Sequence, residues 1–268
     1  MNDLYKKSHY LADNKFIISN YIREYDIRQA NISILFEKGY ITLKDYEKYR
    51  CMDKMQREIS IGYLLKHKSI SDALSMGLKE YRNKFLNDND IEEYNVLSIK
   101  NDAIYLVNIM PLKTRFDRVI EFLNKNIYTS FYRINNLELY YKSPTIDSDE
   151  ILHVKGISDE ALKFHKNYFY DFLCEVFYCA ENENISEVIN LIQNFYKQYI
   201  NLELDIGYYR NFDSTSNYVS YINTISNSTY SFIDNYIPNT IEYKKVLNIS
   251  YNLNIIRILY SYYASLSF

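Results

Sequence analysis

Apolar and polar positions follow two different periods along this chain, and the two periods predict different elements. Over residues 69–88, apolar and aromatic residues recur every three or four positions, which predicts an amphipathic helix. Residues 95–109 are rich in β-branched and aromatic types and predict either a strand pair or a strand with a turn at positions 100–101. Residues 117–142 predict two or three further strands, separated by asparagine-rich turns. The helical period also predicts helices at residues 2–23 and 42–59.

The pattern changes after Gly156, where long helical stretches replace the strands. Ser158 is a favourable N-cap for the first of them. These helices are predicted at residues 159–179, 185–203, 216–235 and 240–265. The predicted fold class is therefore α+β and predominantly helical, with a small antiparallel sheet followed by a C-terminal helical bundle. We predict two domains, a mixed α/β region at residues 1–157 and a helical region at residues 158–268.

Charge divides the chain at nearly the same place. The first 160 residues contain 48 charged side chains, whereas the last 108 contain 17. The weakly charged C-terminal part is rich in Tyr and Asn, which predicts a well-packed or partner-covered surface. Composition alone does not require this, because an AT-rich coding genome also explains the 31 tyrosines of the whole chain. The net charge of −3 excludes a globally basic protein, so any contact with nucleic acid requires a local patch of Lys and Arg.

The cysteine and histidine contents argue against a disulfide framework and against a histidine-based metal site. Cys51, Cys174 and Cys179 are odd in number and lack Cys-x-x-Cys spacing, and the four histidines are scattered. No run approaches the roughly 18 apolar residues that a membrane span requires. We therefore predict a protein of a reducing cytoplasm, the host cytoplasm if the source is a virus, with no membrane partner.

Two aspartates interrupt otherwise apolar segments. Asp26 lies where residues 24–35 change from a predicted strand to a predicted helix, and Asp102 lies within residues 96–107. A carboxylate buried in a strand is unfavourable unless it is paired or binds a cation. Two such carboxylates on neighbouring strands, about 4–6 Å apart, would form a two-metal site for phosphoryl transfer with Mg²⁺ or Mn²⁺. In the alternative interpretation, Asp26 caps the helix and Asp102 occupies a tight turn.

The order of several short segments resembles the palm region of family B DNA polymerases. Residues 25–33 are similar to the first palm motif of that family, with Asp26 in the aspartate position. Residues 100–105 resemble its Asp-Thr-Asp-Ser hairpin, with Asp102 in the second aspartate position. The resemblance implies a palm-like sheet in which these two aspartates are catalytic and bind Mg²⁺ or Mn²⁺.

A third segment resembles the fingers helix of the same family. It spans residues 54–63, and Lys54 and Arg57 lie one helical turn apart within it. The resemblance implies that these two side chains bind the phosphates of the substrate. In the alternative interpretation they form a solvated helix face, balanced by the neighbouring Asp53 and Glu58.

Two lysines complete the resemblance, which spans about residues 20–165. Lys125 begins a segment similar to the Lys-Lys-Arg-Tyr motif, and Lys155 begins one similar to the Lys-Gly that precedes the thumb. The resemblance implies that both lysines bind the substrate. The two aspartates are only 76 residues apart, and Asn101 leaves one carboxylate in the hairpin. The implied protein is therefore a minimal or degenerate polymerase palm with nucleotidyltransferase chemistry, encoded by a virus.

A second hypothesis of a different class is a non-catalytic viral accessory protein. It would bind a protein or nucleic-acid complex through the Tyr/Asn-rich region after Asp205. This hypothesis predicts a contiguous exposed aromatic patch in that region. The separation of the Asp26 and Asp102 carboxylates distinguishes the two hypotheses, because only the metal site requires those side chains to meet.

Overall fold

The computed structural model describes residues 16–18, 20–135, 137–157, 162–163, 165–212, 219–220, 230–231 and 250–266. Contacts within the chain define two compact units. Among the described residues, the first unit contains residues 20–128, and the second unit contains residues 16–18 together with those from 129 onward. Each unit combines an antiparallel sheet with helices, so the α+β prediction is confirmed.

Strands and helices alternate in groups along the described chain. The strands are β1 (Phe16–Ile17), β2 (Ile22–Ile27), β3 (Val96–Lys100), β4 (Ala103–Val107), β5 (Arg115–Phe116), β6 (Ile120–Tyr128), β7 (Ser130–Ile134), β8 (Leu137–Lys142), β9 (Ile151–Lys155), β10 (Val219–Ser220) and β11 (Tyr230–Ser231). The helices are α1 (Ala30–Glu37), α2 (Leu43–Cys51), α3 (Lys54–Leu64), α4 (Lys68–Asp88), α5 (Phe169–Asn182), α6 (Ile185–Ile200) and α7 (Ser250–Ala264). No described helix is both long enough and apolar enough to cross a bilayer.

The first unit is built on a five-stranded antiparallel sheet with the strand order β3-β4-β2-β6-β5. Its central strand, β2, pairs with β4 on one side and β6 on the other. Tyr25 of β2 belongs to the main core of this unit, where Phe85 of α4 lies 5.4 Å from it, ring centre to ring centre. Because side chains alternate along a strand, Glu24 and Asp26 lie on the opposite face of the sheet.

Helix α4 packs closely against α1 at a glycine. A Cβ atom added at Gly77 would overlap the side chain of Ile34, so only glycine permits this approach. One turn and a half further along, α4 carries Arg82, whose guanidinium donates to the carbonyl oxygen of Asn101. The position of α4 on α1 therefore helps to fix the turn between β3 and β4.

The second unit has a four-stranded sheet with the order β1-β7-β8-β9, and its core also contains residues of α5, α6 and α7. Phe172 of α5 and Phe195 of α6 stack with ring centres 3.6 Å apart. Because β7–β9 share a core with these helices, the chain passes from the first unit to the second between Tyr128 and Thr129. The sequence had indicated a boundary at residues 157/158.

Several predicted elements agree with the structure. The strand pair at residues 95–109 forms β3 and β4, and the helix at residues 69–88 forms α4. The strand leading into a helix at residues 24–35 forms β2 and α1. The predicted helices at 185–203 and 240–265 contain α6 and α7, whereas the proposed cap at Ser158 lies outside the described residues.

Other predictions were wrong, two of them because strands pair where helices were expected and one because a cap divides a helix. The helix expected at residues 2–23 is contradicted at its C-terminal end, where β1 and the first residues of β2 are paired in sheets, whereas residues 2–15 and 19 lie outside the described residues. Within the expected helix at 216–235, the described residues form β10 paired with β11. The expected helix at 42–59 is two helices, because Met52 is extended and Asp53 caps α3 through its bond to the Gln56 amide, 3.0 Å.

Candidate metal and phosphate site

Asp26 lies near the end of the central strand of the first unit. It pairs with Ala103 of β4 and with Leu123 of β6. The helix that follows, α1, has Gln29 as its N-cap residue, with φ of 49°, and no side chain caps it. The alternative in which Asp26 caps the helix is therefore wrong, because Asp26 is a residue of strand β2 and the N-cap position is Gln29.

Asp102 lies in the tight turn that joins β3 to β4, as the alternative interpretation expected. Asn101 precedes it with φ of 52°, a left-handed conformation that asparagine tolerates better than most residues. Arg82 of α4 is buried, and burial lowers the pKa of its guanidinium although the nearby charge of Asp102 opposes that shift. Arg82 thus supports the turn and contributes positive charge beside Asp102.

Asp26 and Asp102 line the same cavity, and the carboxyl group of Asp26 is close enough to act on that of Asp102. Burial, together with the hydrogen bond and negative charge of Asp26, raises the pKa of Asp102 to about 7. Asp26 is only 7% exposed, and among the described residues its Oδ1 atom has no hydrogen-bond partner. A buried Asp26 with an unsatisfied oxygen, beside a half-buried Asp102, forms an environment suited to a cation.

Lys125 places a positive charge beside Asp26. The pairing of β2 with β6 shifts by one residue between Glu24 and Tyr25, so that Lys125 is the extra residue of a β-bulge. Its ammonium group donates to Oδ2 of Asp26. Burial lowers the pKa of Lys125, but the hydrogen bond and the charges of Asp26, Asp102 and Glu24 outweigh it and leave that pKa raised.

A cavity of about 660 Å³ opens beside the two aspartates. Five of the six side chains predicted from the sequence line it, namely Asp26, Lys54, Arg57, Asp102 and Lys125. Arg28 and Asn31 also line it, although the sequence did not single them out. Lys155 lies at the end of β9 in the second unit and is not one of the lining residues.

The two basic residues of α3 have features that fit each of their two interpretations, phosphate binding and a solvated helix face. Lys54 and Arg57 face the cavity, yet the side chain of Lys54 is 83% exposed and lies 3.9 Å from Glu58 one turn further along. Arg57 donates to the carbonyl oxygen of Met52 at 3.3 Å. The exposed ion pair contributes little stability, so Lys54 is available to an anionic ligand at small cost.

The donor set of the cavity restricts the metal ions that it can bind. Among the described residues, no group of three or more His, Cys, Asp or Glu side chains is placed to hold a metal. Mg²⁺ commonly uses one or two carboxylates and takes its other ligands from water and substrate phosphates. Asp26 and Asp102 fit that requirement, and the unpartnered Oδ1 of Asp26 is an available ligand atom.

The remaining candidate features lie elsewhere in the chain. A second cavity of about 480 Å³ in the second unit lies between α6 and α7, where Lys197 and Arg257 are its charged residues and no carboxylate lines it. The Tyr/Asn-rich segment after Asp205 falls largely outside the described residues, so the exposed patch expected there stays a prediction. Cys51 is exposed, whereas Cys174 and Cys179 are buried and burial raises the pKa of both thiols.

Sequence reasoning missed two buried charged residues that support the site from outside the cavity lining, Arg82 and Glu24. Glu24 had a detectable signal, because it stands two positions before Asp26 in a strand and must share its face. Arg82 had none, since its role depends on where α4 lies against the hairpin.

Comparison with known protein families matches the chain to a family of bacteriophage proteins. No curated protein matches the chain. The family described as "Bacteriophage PBS1 gene 130 protein" matches residues 1–261. The chain therefore belongs to the bacteriophage PBS1 gene 130 protein family.

Proposed function

We propose that this phage protein is a metal-dependent nucleotidyltransferase with a minimal polymerase palm in its first unit. The observation that carries the proposal is that Asp26 and Asp102, which are 76 residues apart in the sequence, lie beside each other in the lining of one cavity. A purely structural role for either aspartate does not require the other. As a phage protein that uses nucleotides, it would act in the cytoplasm of the infected host.

Each lining side chain has a role in this proposal. Asp26 and Asp102 would hold Mg²⁺ or Mn²⁺, which when bound supplies positive charge to phosphate oxygens. Lys54 and Arg57 would bind the phosphates of a nucleoside triphosphate, which their position on one face of α3 permits. Lys125 keeps the Asp26 carboxylate in place through their ion pair. Catalysis would then consist mainly of positioning and charge stabilisation.

The test is nucleotide incorporation on primed DNA and RNA templates, with Mg²⁺ or Mn²⁺ present. We expect the wild type to extend the primer, and Asp26→Asn and Asp102→Asn to reduce the rate by at least about a thousandfold, since each removes a ligand charge. Asp72→Asn is the matched control, because Asp72 is exposed on α4 and does not line the cavity. Incorporation that survives in both active-site variants would refute the proposal.

The non-catalytic hypothesis makes the opposite prediction for the same variants. If the protein acts by binding a partner through the region after Asp205, Asp26→Asn and Asp102→Asn should leave that complex intact. The α7 wall of the second cavity, which follows Asp205 in the chain, supports this alternative, because Tyr260 lines it beside Arg257. Copurification of wild type and variants from infected cells would separate the two functions.

A further inference from the structure

A buried glutamate in the central strand of the first unit is bonded to both neighbouring strands. Glu24 is 6% exposed. Its Oε1 atom accepts a hydrogen bond from the hydroxyl of Tyr105 on β4, 2.9 Å. Its Oε2 atom accepts from the amide of Asn126, 2.6 Å, and from the hydroxyl of Tyr128, 2.8 Å, both on β6. One carboxylate thus joins three adjacent strands through side chains.

The strands joined in this way are those that carry the candidate site. β2 continues from Glu24 to Asp26 on the same face, and β4 begins directly after Asp102. β6 carries Lys125, the extra residue of the bulge, immediately before Asn126. The Glu24 bonds therefore fix the pairing at the bulge from which Lys125 reaches Asp26.

Burial of a charged side chain in the middle of a strand needs a physical reason. An apolar residue would fill the same position without the desolvation cost, and well-packed apolar replacements of buried charges are often neutral or stabilising. What an apolar residue lacks is directional bonding to both neighbouring strands. Glu24 therefore contributes geometric precision, which a catalytic site requires to within about 0.5 Å.

We propose that Glu24 is a positioning residue that sets the relative places of Asp26, Asp102 and Lys125 by tying β2 to β4 and β6. The inference deepens the proposed function and rests on it for its kinetic readout. Glu24 itself faces Tyr105, Tyr128 and Asn126 and does not line the cavity. It acts through the strands and not by contact with substrate.

The first experiment uses Glu24→Gln in the full chain. Glutamine keeps the size of the side chain. Its amide N–H group, however, would face a hydrogen-bond donor at a position where a carboxylate oxygen of Glu24 accepts a bond. We expect kcat to fall by at least about tenfold, because misplacement of reacting groups is costly. The Mn²⁺ concentration that gives half the maximal rate should rise about tenfold, because loss of a residue that orients metal ligands typically weakens metal binding by about that factor or more. The KM for the nucleotide should change less than about twofold, since Lys54 and Arg57 are untouched.

Glu138→Gln is the matched control. Glu138 is 2% exposed, lies in the inner strand β8 of the second sheet and accepts a hydrogen bond from Tyr140 at 2.9 Å. It does not line the cavity. If Glu24 were merely structural, both variants would lose activity only in proportion to unfolded protein, with unchanged Mn²⁺ dependence. That result, or wild-type kinetics in Glu24→Gln, would overturn the inference.

A second measurement is independent of catalysis. Peptide-resolved hydrogen exchange should show faster exchange across residues 103–107 and 120–128 in Glu24→Gln, and unchanged exchange across residues 137–142. Tyr128→Phe, which removes only a tie to β6, should loosen residues 120–128 and spare residues 103–107. Should the wild type fail to incorporate nucleotides, the proposed function fails, and exchange still decides the role of Glu24. Unaltered exchange in Glu24→Gln would refute that role whatever the kinetics.

Discussion

In the proposed metal site, the protonation state of Asp102 controls whether a cation can bind. An ordinary aspartate is ionised well below neutral pH, but burial and the adjacent Asp26 raise the pKa of Asp102 to about 7. A carboxylate must be ionised to ligate a cation, so a proton and a metal ion compete for the same oxygen atoms. Raising the pH removes the proton from Asp102 and therefore increases the affinity of the site for a metal ion.

We therefore expect the affinity for Mn²⁺ to rise about tenfold between about pH 6 and pH 8, as Asp102 changes from mostly protonated to mostly ionised. Below about pH 7, the binding of one Mn²⁺ ion should release close to one proton from Asp102. Calorimetric titration in buffers of different ionisation enthalpy measures both quantities. Asp102→Asn should bind weakly at every pH and lose the slope, whereas Asp72→Asn should match the wild type. A pH-independent affinity in the wild type would contradict the assignment of Asp102 as a ligand.

At the scale of elements, α4 connects the packing of α1 to the hairpin that carries Asp102. Gly77 lies against Ile34 at one point of the helix, and Arg82 bonds the turn at another. A displacement of α4 caused by a larger residue at position 77 therefore has a route to the site. Gly62 of α3 offers a comparison, because an added Cβ there meets nothing within 4 Å.

We expect Gly77→Ala to lower the free energy of unfolding by about 1–3 kcal/mol, since an added methyl group overpacks the contact with Ile34. Gly62→Ala should instead raise it by about 0.5–1 kcal/mol, because alanine is the better helix former where space is open. Chemical denaturation of both variants, read against the wild type, tests this pair. Equal effects of the two substitutions would show that the close approach of α4 to α1 is not what selects glycine at position 77.

Strands were predictable from the sequence where the local residue pattern agrees with the final strand pairing. β3, β4 and the turn between them were predictable because alternation, β-branched residues and Lys-Asn-Asp all favour a hairpin. β6 was only partly predictable: the asparagines near residue 125 indicated a turn, whereas the strand continues there through a bulge. The prediction of a helix at the start of the chain was wrong where β1 lies. β1 forms by pairing with β7, over a hundred residues away, and the residues around β1 carry no pattern that indicates this pairing.

The site was predictable in its acids and phosphate-binding candidates and not in its supporting residues. Asp26 and Asp102 stand out because each interrupts an apolar segment. Arg82 and the ion pair of Lys125 with Asp26 depend on tertiary packing that no spacing in the sequence encodes. The sequence also grouped Lys155 with the site through the resemblance alone, and its contact with substrate stays a prediction.

On the scale of the whole molecule, the net charge of −3 sets the conditions for binding nucleic acid. Binding must depend on a few local cations, so its dependence on salt should be shallow. Each Lys–phosphate contact contributes about −0.9 to the slope of log affinity against log salt concentration. The slope therefore counts the cations that touch the backbone.

If Lys155 contacts a phosphate, Lys155→Gln should reduce the magnitude of that slope by about 1 and weaken binding equally for different sequences. Fluorescence anisotropy with a labelled duplex over a series of salt concentrations gives the slope. Lys44→Gln is the control, because Lys44 is exposed on α2, outside the cavity lining. An unchanged slope in Lys155→Gln would remove Lys155 from the substrate-binding residues.

The three cysteines have a practical consequence for experiments on this protein. Cys51 is the exposed thiol, and Cys174 and Cys179 are shielded by burial that also keeps them protonated. Cys51 ends α2, and the carbonyl oxygen of its neighbour Arg50 accepts from Gln29, which lines the cavity. A thiol-reactive dye would therefore attach selectively next to the cavity wall. The natural chain thus offers a site for a fluorescent sensor of ligand occupancy without any engineered cysteine.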